Sequence, residues 1–170
     1  MSERVSIDTC VFLHLFNEAN NPDSHIEQLL SHLYKKHYRL CVDSTNKIAN
    51  EYLEYLVPII KNSDDTKIQL PILRAWMNID LREQIEVDQD DMLMHRIRQV
   101  IHEIAEHADR AFVYVSCKGD CCLVTNDGEH ILPRRREIRD KTRKLRGPHA
   151  FIYDSREAIP HLVTRVGADV

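Results

Sequence analysis

Four acidic residues lie where folding could bring them together. Two bracket the stretch DRAFVYVSCKGDCCLVTND, which runs from Asp109 to Asp127. Asp109 opens an apolar helical run (Ala111, Phe112, Val115) that stops at Lys118-Gly119, and Gly119 is the expected left-handed ending. A short buried strand from Cys121 to Thr125 then delivers Asn126-Asp127 at its carboxyl end. Asp8 occupies the same kind of place, where a strand over 4–8 hands over to a helix at Thr9. Glu51 shares a helical stripe with Ile48, Tyr52, Tyr55 and Leu56. An unpaired carboxylate on such a stripe is costly, so it must meet a cation, a donor or a metal. Glu54, one turn on, is the alternative ligand.

In an open α/β sheet the ligand crevice lies beyond the carboxyl ends of the strands. Carboxylates gathered there would repel and raise one another's pKa. Hard divalent cations resolve the conflict, because Mg²⁺ and Mn²⁺ prefer carboxylate and water oxygens. Two such ions roughly 4 Å apart can activate a water and stabilise the leaving oxygen in phosphodiester cleavage.

The elements that must position these acids follow from periodicity. A helix is expected over 25–37 from Ile26, Leu29, Leu30 and Leu33, and a second strand over 38–42. Asp43-Ser44-Thr45 caps a helix reaching Val57, where Pro58 ends it. Helices over 68–80 and 92–106 flank a third strand at 84–88, with Asp90 or Asp91 capping the second helix. Gly128 to Leu132 reads as a turn and short helix, and a last strand covers 150–153. Alternating strands and helices predict a three-layer α/β/α fold with a short central parallel sheet. The 170 residues suit a single domain, 1–170.

Composition narrows the classes. With 43% hydrophobic and 29% charged residues the chain is ordinary for a globular protein. No apolar run approaches the roughly 18 residues of a membrane span, and the Met-Ser-Glu-Arg start is unlike a secretory signal. Five cysteines without framework spacing suggest reduced thiols and a cytoplasmic setting. Net charge is −4, yet residues 134–146 hold eight Lys or Arg against Glu137 and Asp140, which leaves −10 on the remainder. A concentrated basic stripe is the form phosphate recognition takes, with Arg134, Arg135, Arg136 and Arg139 its first candidates. A solvated positive loop or helix face is the other reading of the same run.

Rival chemistries fare worse. His102 and His107 are five apart, so one helix cannot turn both to a zinc ion as a metalloprotease does. Cys117, Cys121 and Cys122 lack a fourth metal ligand. There is no Gly-x-Ser-x-Gly elbow, and four glycines in all leave no room for a phosphate loop.

Taken together, these motifs resemble the PIN-domain nucleases. The likeness rests on Ile7-Asp8-Thr9, on Ile48-Ala49-Asn50-Glu51, and on Asp109-Arg-Ala-Phe before Leu-Val-Thr-Asn-Asp127, and it spans about residues 4–130. The resemblance implies a Rossmann-like PIN fold in which Asp8, Glu51, Asp109 and Asp127 hold Mg²⁺ or Mn²⁺ and Thr125 supports the last acid. It implies hydrolysis of RNA without a covalent intermediate. Family toxins also imply an antitoxin partner and a homodimer. The chain departs from the family at Cys10, where many members carry Ser or Asn, and in its longer basic segment. A DNA-directed nuclease of the same chemistry and a catalytically weak RNA-binding module of a larger assembly are the alternatives. Asp127→Asn is expected to leave the metal-free protein equally or more stable, by relieving repulsion.

Overall fold

The computed structural model describes residues 4–17, 25–62, 69–78, 81–101, 108–143 and 151–164. Its centre is β1 (Arg4–Ile7), where Val5, Ser6 and Ile7 are all buried. Residues 4–8 alternate polar and apolar, the pattern of a strand with one wet face, but this central parallel strand is covered on both. Helix α1 (Thr9–Asn17) and helix α2 (His25–Lys35) lead to β2 (Arg39–Asp43). Helices α3 (Lys47–Asn62) and α4 (Gln69–Met77) lead to β3 (Arg82–Ile85). Helices α5 (Met92–Val100) and α6 (Asp109–Lys118) return the chain to β4 (Cys122–Val124). A 3₁₀ turn (Leu132–Arg134), α7 (Arg135–Arg143), β5 (Phe151–Tyr153) and α8 (Ser155–Thr164) complete the described chain.

The five strands are all parallel, in the order β3-β2-β1-β4-β5. Right-handed crossovers put α1 to α4 on one face and α5 to α7 on the other. The packing agrees: α1 meets α3, α2 meets α4 and α8, and α5 meets α6 and α7. The sheet is therefore three-layered α/β/α, as expected. Strand order reverses between β1 and β4, so the crevice that the topology creates opens at their carboxyl ends. No described helix is long and apolar enough to cross a membrane.

Aromatic packing ties the layers together. Tyr52 meets Phe12 edge-on with ring centroids 5.5 Å apart and lies 6.0 Å from Phe112, and Phe12 continues to the buried Trp76 at 6.1 Å. The Tyr52 hydroxyl donates to the Ile7 carbonyl, so α3 is pinned to the end of β1.

Several expectations change. Helix α3 runs through Pro58 to Asn62. Proline removes one helical hydrogen bond and crowds the carbonyl four residues back, but Leu56 and Ile60 on either side of it pack on the core, which sustains the last turn. Tyr55 is 42% exposed, so the buried stripe is Ile48, Ala49, Tyr52 and Leu56. Gly119 is not left-handed, with φ −79°; that conformation falls on Asp120, with φ 48°. Gly119 is needed for room instead, since a Cβ there would stand 2.9 Å from the Val115 carbonyl. Helix α2 stops at Lys35 rather than residue 37, and His37 is left-handed, with φ 57°. Strand β3 lies two residues earlier than expected, in register with β2 from Leu40↔Arg82 to Asp43↔Ile85. Helix α8 has no counterpart among the expected elements. Residues 102–107, 144–150 and 165–170 lie outside the described set, and with them His102, His107 and the last part of the basic segment.

Candidate functional site

Asp8 is the first residue beyond β1, and its N–H donates to the Val124 carbonyl across to β4 (2.9 Å). That pairing sets Asp8 beside Thr125. The Thr125 hydroxyl donates to Asp8 Oδ2 (2.6 Å) and accepts the Asp127 N–H (3.0 Å). One hydroxyl thus locks both strand ends into a single unit. Asp8 Oδ1 accepts the Cys10 N–H (3.1 Å), while Cys10 Sγ accepts from Asn126 N (3.2 Å). Cys10 therefore bridges Asp8 and Asn126, with sulfur as a weak acceptor. Burial pushes its thiol well above the usual range, so it is a neutral packing group and not a nucleophile.

Glu51 resolves its burial through a donor: Oε2 accepts the Ala108 N–H at 2.8 Å. Ala108 precedes α6 and has no side chain with which to cap it, so α3 supplies the cap across the structure. Glu54 is exposed and takes no such part. The bond holds the start of α6, and hence Asp109, at the crevice.

The Asp109 carboxylate accepts no hydrogen bond among the described residues. Burial, then the charges of Asp8 and Asp127, and more weakly Glu51, push its carboxyl up to about 7, against a downward pull from His130. Those four groups are therefore near enough to feel one another. Asp8 is raised to about 6, first by burial and further by Glu51, with its bonds from Thr125 and Cys10 opposing.

Asp127 is differently placed. Its Oδ1 accepts from Glu129 N (2.8 Å) and His130 N (3.0 Å), and its Oδ2 from Ile131 N (3.0 Å). The side chain thereby shapes the turn that presents His130. His130 Nδ1 lies 3.6 Å from Asp109 Oδ2 and 3.6 Å from Asp127 Oδ2. Ligand atoms of Asp109, Asp127 and His130 all fall within 4.8 Å of one another. Two ligands on one ion with bonds of about 2.1 Å stand at most about 4.2 Å apart, and the two 3.6 Å separations from His130 Nδ1 lie inside that span. Two carboxylates and an imidazole, beside raised and unquenched acids, fit a divalent cation.

Among the described residues the tight cluster is thus Asp109, Asp127 and His130, with Asp8 and Glu51 coupled to it by charge. Sequence reasoning does not single out His130. Its only signal is the Asp127-x-x-His130 spacing inside a turn, which carries no periodicity. The four arginines also separate. Arg134 donates to the carbonyls of Glu129 (2.8 Å) and His130 (3.0 Å), and so buttresses the same turn. Arg135 pairs with Glu157. Arg136 and Arg139 are exposed on α7.

No family model and no curated protein matches the chain. Among solved structures it is similar to the crystal structure of VapBC2 from Rickettsia felis bound to a DNA fragment from their promoter. That likeness covers 89% of this chain and 98% of the other, at 14% identity and a TM-score of 0.43.

Proposed function

We propose that the chain is a divalent-metal-dependent endoribonuclease of the PIN kind, hydrolysing RNA phosphodiester bonds at the crevice between β1 and β4. The supporting observation is Asp109: a half-buried carboxylate with no hydrogen-bond donor among the described residues, facing three other acids and an imidazole at the topological switch point. A fold gains nothing from such a cluster unless a cation binds there.

Asp109, Asp127 and His130 would hold the ion, with Asp8 and Glu51 completing the negative field around it. When bound, Mg²⁺ or Mn²⁺ supplies charge neutralisation at the phosphate and a water acidic enough to attack at neutral pH. The imidazole favours Mn²⁺, the softer of the two. Thr125 fixes the spacing between the Asp8 carboxylate and the Asp127 backbone, and Glu51 fixes the start of α6. The protein itself has no candidate nucleophile at the site among the described residues, since Cys10 is held neutral. Arg136 and Arg139 would take the RNA backbone. In the setting the family resemblance implies, the chain is the toxin of a toxin–antitoxin or defence pair, with an antitoxin as protein partner and a homodimer as its assembly.

Incubation with total RNA and Mn²⁺, with Asp8→Asn and Asp109→Asn as controls, tests the reading. Cleavage that EDTA and both substitutions abolish is expected. Cleavage that persists in EDTA would refute it, and equal cleavage of single-stranded DNA would move the substrate class.

A further inference from the structure

We propose that the cavity between α7, β5 and α8 is a nucleotide subsite, in which one segment of single-stranded RNA puts its phosphates on Arg136 and Arg139 and a base against Tyr153 and His161. This deepens the nuclease reading and rests on it for the identity of the strand.

The cavity has a volume of about 510 Å³, within the range of sites that enclose a small ligand. Three arginines line it, but they are not equivalent. Arg135 is neutralised by Glu157, whose carboxylate also accepts the Asp154 N–H at the start of α8 (3.4 Å). The guanidinium groups of Arg136 and Arg139 make no hydrogen bond or ion pair with any described residue. The two residues stand three apart on α7, on neighbouring turns of one face. Both line the same cavity without an ion pair among the described residues, so an anion entering it meets two guanidinium forks that no described acid neutralises.

The facing wall is aromatic. The rings of Tyr153 and His161 are stacked with centroids 4.3 Å apart and planes 22° from parallel. His161 is exposed. Arginine forks beside a stacked aromatic pair match the alternation of phosphate and base along a single strand. An acidic protein segment would use the arginines and leave the aromatic wall without a function.

The cavity adjoins the acidic crevice. Tyr153 ends β5 in register with Val124 of β4, and its carbonyl accepts the Thr125 N–H at 3.0 Å. The Asn126 side chain accepts the Ser155 N–H at 3.0 Å, so α8 is anchored to the residue next to Asp127. A strand cut at the acidic cluster has its neighbouring nucleotides carried over these contacts into the cavity.

The test is fluorescence anisotropy of the full chain with a labelled hexauridylate in EDTA, where no cleavage occurs. Arg136→Gln/Arg139→Gln should weaken binding about tenfold or more and lower the salt slope by about 1.4, at roughly 0.7 per phosphate on single strands. His161→Ala should weaken it about fivefold or more, and an abasic hexamer should lose the same factor. Wild-type affinity in the double variant, or an abasic strand that binds as well as hexauridylate, overturns the proposal. The two readings fail separately. Binding as described in a wild-type protein that never cleaves RNA refutes the nuclease alone, while cleavage with unchanged KM in Arg136→Gln/Arg139→Gln refutes the subsite and leaves metal-dependent cleavage at the acidic cluster standing.

Discussion

Asp8 and Asp43 end adjacent parallel strands, point into the same rim and are both buried, yet they do opposite things. Asp43 is fully enclosed and saturated with donors: Lys47 N at 2.9 Å, Ile48 N at 2.8 Å and the Thr45 hydroxyl. It caps α3, and its charge is absorbed by the start of that helix. Asp8 has two donors and a carboxylate neighbour, and its pKa is pushed up to about 6. A strand-end aspartate is therefore structural or functional according to what surrounds its oxygens. The sheet uses one of each, side by side.

The largest effect that separates the two is on catalysis. Asp8→Asn and Asp109→Asn should each lower RNA cleavage by about 10³-fold or more, since each removes charge from the cation field. Asp43→Ala should leave the rate per folded molecule within a few-fold of wild type. Initial rates on one RNA, normalised to folded protein, check this. Comparable losses in all three variants would erase the distinction.

The pH dependence of stability sharpens it. The Asp8 carboxyl is raised in the fold, so the native state binds more protons than the unfolded chain between about pH 4 and 7. Its favourable contribution is complete below the unfolded pKa of 3.8 and is lost as pH rises through about 6. For this buried group a rise from 3.8 to about 6 corresponds to about 3 kcal/mol. In EDTA, the stability of wild type relative to Asp8→Asn should fall by up to that amount from pH 4 to pH 8, and Mn²⁺ should restore it. Urea unfolding at the two pH values reads the difference. A pH-independent difference would mean that Asp8 is as well compensated as Asp43.

Asp43→Ala carries the structural half of the comparison. It orphans two N–H groups at the start of α3 and a hydroxyl, at a cost of about 2 kcal/mol. A drop of roughly 4–8 °C in Tm is expected for a chain of this length, the same with and without Mn²⁺. A drop that Mn²⁺ enlarges would tie Asp43 to the site.

How much of this is legible in the sequence depends on whether a residue's role is local. The α/β alternation, the Asp43 and Asp91 caps, and the strand-end positions of Asp8 and Asp127 follow from patterns spanning a few residues. Glu51 is recognisable as a buried acid in need of a partner, but Ala108 N, fifty-seven residues away, cannot be named from helical spacing. His130 and the separation of the arginines are hidden for the same reason. A turn imposes no period, and whether Arg134 is bound or Arg136 is open depends on carbonyls and carboxylates that only the tertiary fold brings near. Helix α8 escapes notice because Pro160 interrupts its pattern, although Asp154 caps it through Arg156 N and Glu157 N at 2.8 Å each.

The smallest effect concerns Asp127, which combines the two roles. Repulsion alone implies that Asp127→Asn costs nothing in the metal-free protein, because one like charge disappears. Three backbone N–H groups on its carboxylate change that expectation. An amide can keep its oxygen on Glu129 N and His130 N, but it then sets an NH₂ against Ile131 N, with a loss of about 1 kcal/mol. Asp109→Asn relieves the same repulsion with no cap to lose. In EDTA at pH 8 the two variants should therefore rank with Asp109→Asn the more stable, by about 1 kcal/mol in urea unfolding. The gap should narrow at pH 4, because Asp109, raised to about 7 and retained only in the Asp127→Asn variant, is then protonated and its buried charge no longer costs stability. The reverse order would mean that repulsion at Asp127 outweighs its capping, and would place that residue wholly with Asp8.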